Sequence, residues 1–581
     1  MPAPETLSPE LAERMLRRLA MLYGPERAPE LLAEIGRLVA AHRPRIAPGA
    51  RGWSASDALL IAYGDSLLGE DRPLRVLADF LGCEVRGLLS FVHLLPFYPY
   101  TSDDGFSVVD YRAVRPDLGG WEDVRALAGL CRPVFDGVFN HASAESAYVR
   151  GHCAGEARYA DFAIAVPPGA DTSKVLRTRN LPLLHEYPTA RGPELLWTTF
   201  SRDQVDLNFA NPKVLLEVLD VLLFYAGQGA AMVRLDAVPY MWKEPGTSCA
   251  HLAGTHELIR LMRDVLDAAA PHVLLLAETN APHRDNFGYL GPPGAPGEEA
   301  QLIYNFCLPP LVLWSLHRGD ATHLSRWAAG LDPLGGRATY LNVTATHDGI
   351  GMRPTEGLLS EPERAELVAL ARDHGGDVTG KKNSDGSVSP YELNLSYFDA
   401  VNDPRATEPF DVQVARFMCS QAIPLAMAGI PGIYIHSLLG SRNDLEGVRR
   451  TGRARSINRA QLRLEEVRRD LAEPASLRAK VFGAYRRLLD IRQRRPAFHP
   501  DAAQEVLDLG PSFFALRRQD RASGRSILAV HNVTRRPQTA DLRAAAGGPA
   551  WRDLLGGEDF AAASLGKIDL GAYQVRWLAA T

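Results

Sequence analysis

Short apolar runs alternate with amphipathic stretches along most of this chain. Eight of the runs have the length and composition of buried strands, and helical patterns lie between most of them. Alternating strands and helices indicate a parallel α/β fold, and eight such units predict a (β/α)8 TIM barrel. The predicted strands lie at residues 58–65, 88–99, 133–141, 231–238, 272–280, 302–309, 340–349 and 430–437.

The pattern changes at both ends of the chain. Residues 8–42 contain two stretches with apolar side chains three and four positions apart, which predict a helical hairpin within an N-terminal extension, 1–50. We expect the hairpin to pack on the main body, with a lid or a dimer contact as alternatives. Beyond residue 500, short alternating strands predict a C-terminal antiparallel β domain, 501–581, which leaves 51–500 for the barrel.

Two gaps between predicted strands are too long for ordinary connections. Residues 142–200 follow the third strand and form a loop domain rich in Gly, Pro, Arg and aromatic residues. Residues 350–400 follow the seventh strand and include the sequence GGDVTGKKNSDGSVSPYELN. Long loops at the carboxyl ends of barrel strands usually build the substrate pocket, so we expect both loops to surround a site.

Composition and charge argue against several classes of partner. The 64 lysines and arginines nearly balance the 69 aspartates and glutamates, and the net charge of −5 argues against a nucleic-acid or anionic-membrane surface. Six scattered cysteines without CxxC spacing predict free thiols in a reducing cytoplasm. There is no apolar signal core and no run of about 18 apolar residues, so we expect a soluble, cytoplasmic monomer or homodimer.

Polar side chains follow four of the predicted strands at the same end, in otherwise apolar surroundings. A buried Asp more often caps a helix or pairs with Arg than takes part in chemistry, but charge buried at four strands is costly without a task. Arg234 and Asp236 stand two positions apart on one face, so the guanidinium can keep the carboxylate ionised, as a nucleophile requires. The set comprises Asp136, Asn140, His141, Arg234, Asp236, Glu278, His347 and Asp348.

Four motifs that contain these residues resemble the α-amylase superfamily, glycoside hydrolase family 13. They occur in the family's order, and the resemblance extends over about residues 55–581. Any one of them alone is a weak signal, whereas four in order are a strong one. The motifs are DGVFNH at 136–141, MVRLDAV at 232–238, ETN at 278–280 and THDG at 346–349.

The resemblance implies roles for individual residues. Asp236 would be the nucleophile that forms a covalent β-glucosyl-enzyme, and Glu278 the general acid that later acts as base. Asp348 would bind sugar hydroxyls and stabilise the oxocarbenium-like transition state. Retention of configuration needs the two reacting carboxyls about 5–5.5 Å apart. In the same family pattern, Arg234 holds the nucleophile, and His141 and His347 bind glucose hydroxyls.

Two further segments are similar to sucrose phosphorylase and its relatives within that family. They are FYPYTSDDGFSVVDY at 97–111 and RSINRAQL at 455–462. The similarity implies a pocket closed around one terminal glucose, where Asp103 and Arg459 read hydroxyls and Phe106 is an apolar platform. Ordinary core packing is the alternative for Phe106.

The similarity also predicts residues on the acceptor side of the pocket. Arg179 matches the phosphate-contacting arginine of the subgroup, and Lys381 and Lys382 supply further positive charge, although solvated surface charge is the commoner role of such residues. Tyr240 follows the nucleophile motif, and Glu392 follows Tyr391 where sucrose phosphorylases have a Tyr-Gln step. The N-terminal extension and the loop NSDGSVSPYELN look more like glucosylglycerate phosphorylases, with glucosylglycerol phosphorylases close by.

These observations predict a retaining phosphorylase that transfers α-D-glucosyl to inorganic phosphate and yields α-D-glucose 1-phosphate. The expected donor is glucosylglycerate, with sucrose, glucosylglycerol and sucrose 6-phosphate as alternatives. A hydrolase or transglucosidase of the same fold is the second hypothesis, and a non-catalytic binding subunit is the third. We expect no cofactor and no metal, because no run of spaced acidic ligands accompanies Asn140 to form a calcium site.

Overall fold

Eight parallel strands close into a barrel, which confirms the predicted fold class. The structure is a computed structural model that describes residues 7–383, 386–545 and 550–581. Pairing follows chain order around the barrel, and the first strand closes onto the eighth. The strands are β1 (Leu59–Ala62), β2 (Phe91–Leu94), β3 (Arg132–Gly137), β4 (Met232–Leu235), β5 (Leu274–Ala277), β6 (Leu302–Tyr304), β7 (Thr339–Val343) and β8 (Ile430–Tyr434).

The barrel strands are shorter than the apolar runs that predicted them. Strand β3 ends at Gly137, although the run continues to residue 141. Strands β4 and β5 end at Leu235 and Ala277, so Asp236 and Glu278 are each the first residue after a strand. The apolar residues beyond the strand ends are buried in the loops above the barrel, because those loops fold back over its mouth.

Helices surround the barrel, and most of them begin at a Pro or at a capping Ser or Asn. None of the helices that the structure describes combines the length and apolar character needed to cross a bilayer. The helices are α1 (Pro9–Tyr23), α2 (Ala28–His42), α3 (Pro73–Cys83), α4 (Trp121–Ala128), α5 (Ala147–Ala154), α6 (Pro212–Gly227), α7 (Ala253–Ala269), α8 (His283–Phe287), α9 (Leu308–Arg318), α10 (Thr322–Ala329), α11 (Glu361–Asp373), α12 (Tyr397–Val401), α13 (Phe410–Ala426), α14 (Ile435–Leu438), α15 (Leu445–Thr451), α16 (Leu464–Ala472) and α17 (Leu477–Gln493).

The N-terminal hairpin of α1 and α2 packs on the outer layer, against α6 and α7. Ser8 accepts a hydrogen bond from Leu11 N and so begins α1. The Arg14 and Arg18 guanidiniums both bind Asp264 of α7, with nitrogen–oxygen distances of 2.7 and 2.8 Å. None of the described hairpin residues lines the cavity analysed below, which favours attachment to the body over a lid.

The two long loops have secondary structure of their own. In the loop after β3, strands Ala165–Val166, Leu184–Thr189 and Gly192–Trp197 form a small antiparallel sheet. In the loop after β7, Asp377–Lys382 pairs with Val388–Asn394. Ser384 and Asp385, part of the NSDGSVSPYELN segment used above, lie outside the described residues, as do 1–6 and 546–549.

The C-terminal region is an antiparallel sheet, as predicted. Its side chains alternate between two faces: Phe514 and Leu516 join the core shared with the barrel, whereas Phe513, Ala515 and Leu528 form a separate core on the other face. Strands Gln538–Ala540 and Ile568–Leu570 pair with each other beside the sheet. The order of the six main strands is Ala503–Leu507, Phe513–Gln519, Ser526–Asn532, Val575–Ala580, Ala550–Asp553 and Asp559–Ala561.

Candidate active site

A cavity opens at the carboxyl ends of the barrel strands. Ten of the predicted residues line it, whereas Asp136, Asn140, Arg234, Lys381, Lys382 and Arg459 do not. Loops from several strands therefore bring together side chains that are far apart in the sequence. The predicted residues in the cavity wall are Asp103, Phe106, His141, Arg179, Asp236, Tyr240, Glu278, His347, Asp348 and Glu392.

Arg234 connects the nucleophile candidate to a buried network. Its Nη1 donates to Asp236 Oδ1 at 2.9 Å and also to Asp136. His93 Nε2 lies 2.8 Å from the second oxygen of Asp136. Because Arg234 and Asp136 are buried within the barrel, the guanidinium has little freedom, and the Asp236 carboxylate is held in one orientation.

Glu278 is hydrogen-bonded to the turn that carries Asp236. The backbone N–H of Ala237 donates to Glu278 Oε2 at 3.0 Å. Ala237 has a φ of 49°, in the left-handed region, which costs a non-glycine residue about 1 kcal/mol or more. Such a conformation persists only where the surroundings enforce it.

The two carboxyls differ in their partners although both are buried. Burial raises the pKa of Asp236 and of Glu278, each to about 7. The Asp236 carboxylate has the Arg234 hydrogen bond at 2.9 Å, whereas Arg234 Nη2 is 4.0 Å from Glu278 Oε2. We therefore expect a single proton shared by this pair to reside on Glu278, which suits an acid beside an ionised nucleophile.

One part of the cavity wall is built around Arg455. This guanidinium binds both oxygens of Glu392, at 2.7 and 3.1 Å, and its Nη1 is 2.8 Å from Asp348 Oδ1. Burial favours the neutral form of Asp348, but Arg455 outweighs it and, with the other nearby charges, holds the pKa of Asp348 well below its ordinary range. Phe106 stacks on His347 at a centroid distance of 4.9 Å and forms an apolar wall.

Asp103 and Arg459, both expected to read sugar hydroxyls, have different surroundings in the structure. Arg459 Nη1 donates to Asp104 Oδ2 at 2.5 Å and lies outside the cavity wall, while Asp103 accepts from Gln204 Nε2 at 3.1 Å. Asp103 and Asp104 are consecutive residues with φ of 53° and 50°, and this turn points their side chains to different partners. Arg455, four positions earlier, is the arginine of this segment that lines the cavity.

Several residues of the cavity wall were not predicted from the sequence. Arg455 and Asn280 belong to the RSINRAQL and ETN motifs, so a signal for them was present. Gln204, His251 and Arg353 lie in the connections between barrel strands, and nothing in their local pattern marks them.

Arg179 is another arginine of the wall. Its guanidinium carbon lies 5.7 Å from the Phe200 ring centre and 5.5 Å from that of Tyr391, and no described carboxylate forms an ion pair with it.

A lysine occupies the place where Asn140 raised the question of calcium. Lys243 Nζ is 3.0 Å from Asn140 Oδ1 and also binds Asp206 and the carbonyl of Tyr240. These oxygens would suit a hard cation, and here an ammonium already compensates the buried carboxylate. No group of three or more His, Cys, Asp or Glu side chains within the described parts of the chain could hold a metal ion.

Lys243→Met is expected to destabilise the protein by about 3–5 kcal/mol, because it leaves the Asp206 carboxylate buried without a counter-charge. The Lys243 side chain is 7% exposed and that of Asp206 0%. Thermal and denaturant unfolding measure the effect, and the double variant Lys243→Met/Asp206→Asn should recover part of the loss. An unfolding midpoint equal to that of the unmodified protein would show that this contact contributes nothing.

Comparisons with known proteins agree with this site. The family described as "Alpha amylase, catalytic domain" matches residues 89–319, and "D-apionate lactonase, C-terminal immunoglobulin-like domain" matches 516–578. A glucosylglycerate phosphorylase from Allomeiothermus silvanus is 49% identical over 92% of this chain and 94% of the relative. A second glucosylglycerate phosphorylase, from Spirochaeta thermophila, is 42% identical over 98% of this chain and 99% of the relative. The crystal structure of sucrose 6F-phosphate phosphorylase from Thermoanaerobacter thermosaccharolyticum has a TM-score of 0.71 at 25% identity, covering 84% of this chain and 95% of that chain.

Proposed function

The chain belongs to the α-amylase family, glycoside hydrolase family 13, in its sucrose phosphorylase-like subgroup, and from that premise we propose that it is a glucosylglycerate phosphorylase. Two relatives with that name are 49% and 42% identical over more than nine-tenths of this chain. The protein would transfer an α-D-glucosyl group from glucosylglycerate to phosphate and release glycerate and α-D-glucose 1-phosphate.

The arrangement of carboxyls supports a two-step reaction with retention. In the first step, Asp236 attacks C1 of the glucosyl group, the bond from C1 to the glycerate oxygen breaks, and Glu278 gives its proton to that oxygen. In the second step, a phosphate oxygen attacks C1, the ester bond to Asp236 breaks, and the oxygen's proton, where it carries one, passes to Glu278. Arg234 would keep Asp236 oriented, and Asp348 with Arg455 would hold the glucose.

The observation that most favours phosphate over water as acceptor is unpaired positive charge in the cavity wall. Arg179 and Arg353 both line the cavity, and neither forms an ion pair with a described carboxylate. Two other arginines of the site are paired: Arg234 lies within 4.0 Å of three carboxylates, and Arg455 lies within 4.0 Å of two. Unpaired guanidiniums in the wall of the site suit an anionic acceptor, which a hydrolase does not need.

A glucosyl-donor and acceptor panel tests this proposal directly. The protein with glucosylglycerate should release α-D-glucose 1-phosphate only when phosphate is present, and phosphate should raise turnover. In reverse, glucose 1-phosphate with D-glycerate should release phosphate faster than with fructose, fructose 6-phosphate, glycerol or water. Free glucose formed at a rate independent of phosphate would instead identify a hydrolase, and fastest release with another acceptor would identify a different phosphorylase.

We also propose that the protein works in the cytoplasm. All six cysteines are free, and four of them are buried, as expected for thiols in a reducing compartment. Both substrates are small molecules, and the reaction requires neither a nucleic acid nor a membrane. Whether the protein is a monomer or a homodimer stays a prediction to be tested by its mass in solution.

A further inference from the structure

Arg353 carries a charge that the protein itself does not neutralise. It is 8% exposed, and its Nη1 makes a long hydrogen bond of 3.4 Å to the Asn280 carbonyl. Its Nε is buried without a hydrogen-bond partner, and no carboxylate of the described residues forms an ion pair with it. A buried guanidinium without a counter-charge is costly, so its surroundings suit an anionic ligand.

His251 presents a second unused polar atom to the same cavity. Its Nδ1 is 2.9 Å from the Tyr289 hydroxyl, and its Nε2 is buried without a partner. The hydroxyl of Tyr289 has no other acceptor among the described residues, so we assign it as the donor to Nδ1, which places the ring proton on Nε2. Burial outweighs the nearby Asp285 carboxylate and, together with the charge of Arg353, lowers the pKa of His251 to about 4, so the ring is neutral.

Arg353 lies beside the segment that carries the acid. Its guanidinium binds the backbone of Asn280, which is two residues after Glu278. Gly351 permits this close approach, because a Cβ there would lie 2.6 Å from Asn280 Oδ1. Asp348 and Arg455, which are expected to hold the glucose, contact each other and Glu392, and no ion pair or hydrogen bond among the described residues joins them to Arg353. A group attached to the oxygen that Glu278 protonates would therefore extend towards Arg353.

We propose that Arg353, with His251 beside it, binds the carboxylate of the aglycone and thereby selects a hydroxy acid over a neutral polyol. This inference rests on the proposed function, in which glycerate is the aglycone. It assigns the choice between a hydroxy acid and a neutral polyol to particular residues. In the synthetic direction, the glycerate hydroxyl oxygen attacks C1 of the glucosyl-enzyme, the ester bond to Asp236 breaks, and Glu278 accepts the hydroxyl proton. The bound carboxylate would place that hydroxyl at C1.

The test uses α-D-glucosyl fluoride as donor in phosphate-free buffer, so that binding of phosphate does not enter the result. The ratio of kcat/KM for D-glycerate to that for glycerol is measured in the unmodified protein and in Arg353→Gln. Loss of one partner of a buried charge-assisted contact should lower this ratio about 30-fold or more. Arg372→Gln is the control, because it removes an equal charge from an exposed position of α11 in the same 350–400 segment, and it should leave the ratio unchanged.

Each alternative result contradicts the assignment. An unchanged ratio in Arg353→Gln, whether both rates stay high or both fall together, would mean that the residue is structural or serves phosphate alone. Formation of glucose 1-phosphate by the unmodified protein is measured separately, so failure of the proposed function can be distinguished from failure of the role assigned to Arg353. If that product forms while the ratio is unaffected, the phosphorylase stands and only the role of Arg353 is wrong.

Discussion

Asp236→Ala is expected to lower kcat with glucosylglycerate by about 10⁴-fold or more, since no other group can form the glucosyl ester. Asp236 lies at the end of β4 with Arg234 Nη1 2.9 Å from its Oδ1, and both its position and its ionisation suit attack on C1. Steady-state phosphorolysis measures the loss. An unchanged thermal midpoint and circular dichroism spectrum would show that the variant is folded.

Chemical rescue makes this prediction specific to the nucleophile. Removal of the carboxylate leaves space on the face of the sugar opposite the leaving group, where azide can attack the α-glucosyl donor. With α-D-glucosyl fluoride, Asp236→Ala should therefore produce β-glucosyl azide by a single inversion. Turnover within tenfold of the unmodified protein, or an azide product of α configuration, would assign the nucleophile to another residue.

Glu278→Gln is expected to lower kcat/KM for glucosylglycerate about 10²–10⁴-fold, the usual contribution of general acid catalysis. The loss should be much smaller with α-D-glucosyl fluoride, because fluoride leaves without a proton. Glu278→Ala with azide should give α-glucosyl azide through the intact glucosyl-enzyme, the anomer opposite to that from Asp236→Ala. Equal losses with both donors would contradict the role of the acid.

The pH profile gives an independent measure of the same residue. Burial raises the pKa of Glu278 to about 7, so its acid form is available below that pH and disappears above it. The value of kcat/KM for glucosylglycerate should therefore fall as pH rises through about 7, and protonation of Asp236 should limit it on the acid side. If kcat/KM of the unmodified protein for α-D-glucosyl fluoride falls at alkaline pH, this fall should be absent from the pH profile of Glu278→Gln. A profile that stays flat to pH 9 would mean that Glu278 does not titrate as the acid.

The barrel and the positions of the two carboxyls proposed to react could be predicted from sequence because both depend on short stretches of chain. Each strand is a local apolar run, and each of Asp236 and Glu278 directly follows its own run. The order of four motifs then supplied the chemistry. Such patterns give strand ends to within a few residues, which is sufficient to place a side chain at the mouth of a barrel.

The partners of the loop residues could not be predicted in the same way. Arg459 and Asp104 are 355 positions apart, and their pairing depends on two consecutive left-handed residues in the loop after β2. The two motifs contain two carboxylates, Asp103 and Asp104, and two arginines, Arg455 and Arg459. Only the three-dimensional course of both loops decides which carboxylate pairs with which arginine. Arg353 and His251 show the same limitation, since an arginine in a loop is usually solvated and nothing local indicates that this one is buried.

The hydrogen bond from Ala237 N to Glu278 has a consequence for how such an enzyme could diversify. The spacing between acid and nucleophile depends on two adjacent strand ends and one peptide group, at 3.0 Å, and on none of the long loops. The residues proposed to meet the aglycone, in contrast, come from loops: Arg353 lies in the loop after β7 and His251 in the loop after β4. The anomeric configuration of the product and the preference for a leaving group therefore depend on separate parts of the chain. Replacement of a loop can change the acceptor without changing the configuration of the product.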